Sequence, residues 1–140
     1  MADLVIDAST VRLVRGSDEV LYTGPVGETG LGGEYYRLNT TTAYLENGNA
    51  TTATEVGAGT SGILLDSVPT ARLTGTIALL KSAAILDLGE ALAALAYGAP
   101  VYLSDTDATL GTTAGTVSIV VGHVTPGWNA TVADKLLILD

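Results

Sequence analysis

Apolar and polar residues alternate over several short stretches of this chain, each bounded by glycine, asparagine, aspartate or proline. A period of two marks half-buried strands, and those boundary residues mark turns. On that basis strands are predicted over residues 10–14, 19–23, 35–38, 42–45, 73–80, 101–103, 117–124 and 135–139. Arg15-Gly16-Ser17-Asp18 reads as the turn of a hairpin between the first two. Glu46-Asn47-Gly48-Asn49 reads as a tight turn, because Asn-Gly supplies the positive φ of a type I′ hairpin. Residues 50–62 carry no clear period and read as loop or irregular strand, while residues 83–86 continue the strand before them or pair with it. The first nine residues are weakly patterned and read as a flexible N-terminal arm, leaving residues 10–140 as a single β-rich domain.

The period changes once. Leu88, Leu92 and Leu95 fall at i, i+4 and i+7, one face of a helix. With Asp87 as N-cap, Glu90 three positions on and Gly98 as the stop, the spacing predicts one short α-helix from about Gly89 to Tyr97. Pro100 cannot continue it.

The strand over residues 117–124 is apolar on both sides. Val117, Ile119, Val121 and His123 share one face; Ser118, Val120, Gly122 and Val124 share the other. A strand covered on both faces needs a second cover, from the helix or from a neighbouring subunit. Val117, Ile119, Val121 and His123 are therefore the candidate interface, together with Trp128, which is either a lid on the core or an interface anchor.

Composition sharpens this picture. One compact domain fits 140 residues. The chain has no Phe, no Cys and a single Trp, so packing relies on aliphatic residues and six Tyr. Seventeen Gly suit strands joined by tight turns. A net charge of −9 spread along the chain, with no basic patch, argues against nucleic acid as a partner. No apolar run is long enough to span a membrane, and the opening MADLVIDAST does not read as a signal peptide.

The candidate chemistry is thin. Gly57-Ala58-Gly59-Thr60-Ser61-Gly62 matches the dinucleotide fingerprint letter for letter, but lacks the buried strand before it and the helix after it. Asp105-Thr106-Asp107 suggests a calcium loop, yet the required Gly and Glu are replaced by Leu110 and Thr116, so it reads as a turn. His123 is the sole histidine and has no cysteine to help it hold a metal. A triad using Ser104 or Ser118 lacks a nucleophile elbow. The sequons at Asn39, Asn49 and Asn129 read as Thr-rich turns. No catalytic, cofactor-binding or metal-binding set emerges, and the chain reads as a non-enzyme.

The run Leu86-Asp87-Leu88-Gly89-Glu90-Ala91-Leu92, then Gly98-Ala99-Pro100-Val101-Tyr102-Leu103-Ser104-Asp105, then Val120-Val121-Gly122-His123-Val124 and Pro126-Gly127-Trp128, resembles the capsid decoration (cement) proteins of tailed bacteriophages. That resemblance implies a mainly β fold, a small β-barrel or β-tulip domain with one short helix. It also implies a homotrimer on the capsid exterior, seated on the major capsid protein and stabilising the shell against internal DNA pressure. It implies synthesis in a host cytoplasm, no cofactor, and an N-terminal arm that orders on the shell. Other structural classes compatible with the residues are a head-fibre or tail accessory module and a carbohydrate-binding β-module.

Overall fold

A computed structural model describes residues 3–57, 59–127 and 135–140. The fold is mainly β, as expected, with two antiparallel sheets and one short α-helix. The strands are β1 (Arg12–Arg15), β2 (Leu21–Pro25), β3 (Tyr35–Leu38), β4 (Leu45–Asn47), β5 (Ser61–Leu64), β6 (Thr74–Leu79), β7 (Ile85–Asp87), β8 (Pro100–Leu103), β9 (Leu110–Gly111), β10 (Val120–Pro126) and β11 (Lys135–Ile138). They form a six-stranded sheet, β1-β7-β11-β10-β8-β9, and a five-stranded sheet, β2-β6-β5-β3-β4. Among the described residues the two sheets stay separate rather than closing into a barrel.

The main core lies where the sheets share contacts. Leu86, Leu137, Val124, Val101 and Leu103 come from the six-stranded sheet; Tyr35, Ile63 and Ala78 come from the five-stranded one. The other face of the five-stranded sheet carries a second core of Tyr36, Leu45, Leu64 and Ile77, capped by Val26 and Val68 from the loops flanking it. Both buried tyrosines find acceptors, as a buried phenol must. Tyr35 Oη donates to Val56 O at 2.5 Å and Tyr36 Oη to Glu28 O at 3.0 Å. Gly62 pairs with Leu79 where β5 lies beside β6, and a Cβ there would stand 1.9 Å from the Ala78 carbonyl oxygen.

Several local expectations change. The first two strands do not form a hairpin: β1 pairs with β7 in one sheet and β2 with β6 in the other. A short 3-10 turn, Asp18–Val20, carries the chain across between them. Asn47-Gly48 makes no type I′ turn, because the β3–β4 connection is the longer 39–44 turn with Ala43 at φ 64. Gly48 serves close approach instead, since a Cβ there would meet Glu55 O at 2.5 Å.

The helix is also displaced. The α-helix, α1 (Ala53–Val56), lies in the stretch expected to be irregular, capped by Thr52 Oγ1 accepting from Glu55 N. In place of the helix expected from Gly89 to Tyr97 there is a 3-10 turn over Gly89–Leu92. The apolar spacing did report burial, because Leu88 and Leu92 are both sealed in the core. However, Lys135 Nζ takes the Ala93 carbonyl, which an α-helix running to Tyr97 would have given to the Tyr97 amide, and the Leu95 carbonyl as well. The segment expected to be an arm is docked from Asp3 onward. Leu4 N donates to Leu110 O at 2.8 Å, and the Asp3 carboxylate accepts from Ser104 Oγ at 2.6 Å and Thr106 Oγ1 at 2.8 Å.

Candidate functional site

Alternation fixes which residues of the six-stranded sheet turn away from the core. Leu86, Leu137, Val124 and Val101 face inward, so their strand neighbours face outward. Across the strands the outward residues line up in register: Arg15 beside Ile85, Ile85 beside Ile138, Ile138 beside His123, and His123 beside Pro100. Tyr102 and Val120 form the next pair on the same face. All of these apolar residues are at least partly exposed, and Val120 is 38% exposed. A solvated antiparallel face normally presents polar residues at such positions.

Charged pairs both edge and interrupt this apolar array. Arg12 clamps Asp87 through two nitrogens, Nε and a terminal guanidinium nitrogen, each 3.1 Å from Asp87 Oδ2. His123 Nδ1 lies 2.6 Å from Asp140 Oδ2. At another part of the domain the Glu34 carboxyl is held above the usual range by burial and by repulsion from Asp107 and Glu28. The Tyr36 phenol is pushed up chiefly by burial and further by those three carboxylates, so they form one acidic pole.

The predicted interface residues separate. The strand begins at Val120, so Val117 and Ile119 lie in the lead-in, half-buried. A β-bulge between Val120 and Gly122 shifts the register, so Val121 turns inward and is fully buried in this chain's own core. Val121 is therefore removed from the interface, and Val120, expected on the opposite face from His123, joins it on the outward side. His123 stays on the open face. Trp128 lies outside the described residues. The signal for the bulge was Gly122, an isolated glycine inside a strand pattern. Ile85, Ile138, Tyr102 and Pro100 were missed because their shared face exists only once four separate strands are in register.

The other motifs have structural roles. The 57–62 glycine run follows α1 and leads into β5, a helix-then-strand order opposite to what phosphate binding needs. In the 105–107 turn, Asp105 accepts from Thr116 N at 2.8 Å and Thr116 Oγ1 at 2.7 Å, which holds its carboxyl below the ordinary range. Ser104 Oγ donates to Asp3, not to His123. Among the described residues no cluster of three or more acidic or histidine side chains is arranged to hold a metal. No helix among them is long and apolar enough to cross a membrane. Comparison with protein-family models, curated proteins and solved structures finds no match.

Proposed function

We propose that this chain is a structural virion protein that acts by assembling rather than by turnover. Copies associate through the outward face of the six-stranded sheet into a homotrimer. The trimer seats on the exterior of a phage capsid, bound to its major capsid protein. The observation that carries this reading is the outward cluster of Ile85, Ile138, Pro100, Tyr102 and Val120, aligned across the sheet on either side of His123; exposed apolar residues gathered on one face mark an association surface. The acidic pole at Glu28, Glu34 and Asp107 favours contact through this apolar face, because pressing two such poles together costs repulsion. The resemblance of residues 86–92, 98–105, 120–124 and 126–128 to decoration proteins supports the location.

The work done would be thermodynamic. A ligand that binds only the assembled shell stabilises it by mass action. A trimer holding several shell subunits at once gains effective concentration, so individually weak contacts release slowly. The test is sedimentation of the 14.2 kDa chain at micromolar concentration, followed by binding to shells stripped of their decoration and a heat challenge. The expected result is a trimer that binds stripped shells and raises the temperature they survive. A monomer that leaves stripped shells unprotected would overturn the reading.

A further inference from the structure

We propose that the cleft beside Arg37 binds a neutral, hydroxyl-rich ligand of the saccharide class. The cleft has a volume of about 610 Å³ and is walled by Arg37 and Leu38 of β3, the Thr40–Thr42 turn, and Ala53 and Thr54 of α1. Ligand sites commonly fall between about 300 and 1,000 Å³.

Arg37 is the unusual element. It is 9% exposed, and its Nε is buried with no hydrogen-bond partner. A terminal guanidinium nitrogen stands 3.8 Å from Glu46 Oε1 and 3.6 Å from Glu55 Oε2, ion pairs longer than hydrogen bonds. A guanidinium carries five donors, and a buried one left unmade is costly. Arg37 therefore holds unused donor capacity in the wall of the cleft.

The surrounding groups select the ligand class. Two carboxylates beside one cation leave the locality net negative, within a chain of net charge −9, so an anion is repelled. Threonine hydroxyls on two sides both donate and accept, as sugar hydroxyls require. Leu38 and Ala53 supply apolar surface for a C–H face. The wall is also preset: Asn39 Oδ1 accepts from Thr41 N and Thr42 N, while its Nδ2 donates to Glu46 Oε1 at 2.9 Å. The cleft is built on the five-stranded sheet and α1, so it does not depend on the proposed assembly face.

The experiment is an amide-shift titration of the full chain with methyl α-mannoside, methyl β-galactoside and N-acetylglucosamine, with sodium sulfate as the anionic control. At least one glycoside is expected to bind with a Kd of about 1–10 mM, giving saturable shifts confined to residues 37–42 and 53–57. Arg37→Met and, as surface variants that spare the buried arginine, Thr41→Val and Thr54→Val are each expected to weaken binding several-fold. The salt is expected to give no saturable shift. Absence of saturable shifts with all three glycosides, shifts that persist unchanged in the threonine variants, or saturable sulfate binding at the same amides would overturn the proposal.

Discussion

On the five-stranded sheet, Ile77 and Leu64 point away from the main core and are nevertheless completely buried, because Val26 and Val68 from the flanking loops fold over them. On the six-stranded sheet, Ile138 and Ile85 point away from the main core and remain partly exposed. The same residue type in the same relation to the shared core thus meets two fates. The difference lies in the connections. The loop after β2 and the loop after β5 are tied together across the second core by Val26 N to Leu73 O at 2.9 Å and by the Gly30–Val68 exchange at 3.1 and 2.8 Å. One sheet completes its own burial, and the other presents an apolar face that a further molecule can cover.

The largest expected effect breaks this contrast directly. Ile77→Ala removes a sealed side chain and should cost about 2–5 kcal/mol, read from urea unfolding at low protein concentration. Ile138→Ala under the same conditions should cost about 1 kcal/mol, because its side chain is only partly withdrawn from water. Equal losses would mean that the outward face is buried in the isolated chain after all. Next in size is Val120→Glu. At a 38% exposed position it should leave the unfolding midpoint nearly unchanged while raising the self-association Kd at least about tenfold by sedimentation, a factor of about 1.4 kcal/mol. A variant that assembles as well as the parent would clear this face of any role, whatever the state of the parent chain.

Much of this contrast was hidden from the sequence for a physical reason. Strands such as β3, β8 and β11 were legible because their own alternation or composition reports burial. Which strands pair was not. The β1 and β2 segments look like hairpin partners by spacing, yet they belong to different sheets. The faces of β10 inverted partway because one bulge at Val121 costs the strand its register, and a period-two reading cannot absorb an extra residue. The Leu88-Leu92 spacing marked burial correctly but mistook its geometry: the segment forms a 3-10 turn, and the Lys135 ammonium, from far along the chain, takes the Ala93 carbonyl that a longer helix would have used. The cleft was illegible altogether: Arg37, Glu46 and Glu55 come from three elements and carry no common motif.

A smaller effect concerns the edge of the open sheet. Asp3 pairs with Gly111 of β9 and accepts two hydroxyl hydrogen bonds. Asp3→Ala should cost about 1 kcal/mol and speed amide exchange at Leu4, whose N–H is held by Leu110 O. Unchanged exchange would show that the segment docks through Leu4 and Ile6 packing alone, without the carboxylate.

The finest distinction is one of pH, and here carboxylates near the two sheets should respond in opposite senses. Glu34, just before β3, has its pKa raised above 4.5 chiefly by burial, with Asp107 and Glu28 adding repulsion. A raised carboxyl binds its proton more tightly in the folded chain than in the unfolded one. Its contribution is therefore fully present below 4.5 and lost as pH rises through the folded value. Glu34→Gln keeps an acceptor for Leu31 N and removes that loss, so the variant should be the more stable at neutral pH and match the parent in acid. Asp105, just after β8, has its pKa lowered below 3.8 by the Thr116 amide and hydroxyl. Its contribution is present above 3.8 and lost as pH falls through the folded value, so Asp105→Asn should be the less stable at neutral pH, with the gap closing in strong acid. Urea midpoints measured across the acid range separate the two. If both variants track the parent at a constant offset, the carboxylates are not differently held, and this electrostatic part of the contrast between the sheets fails.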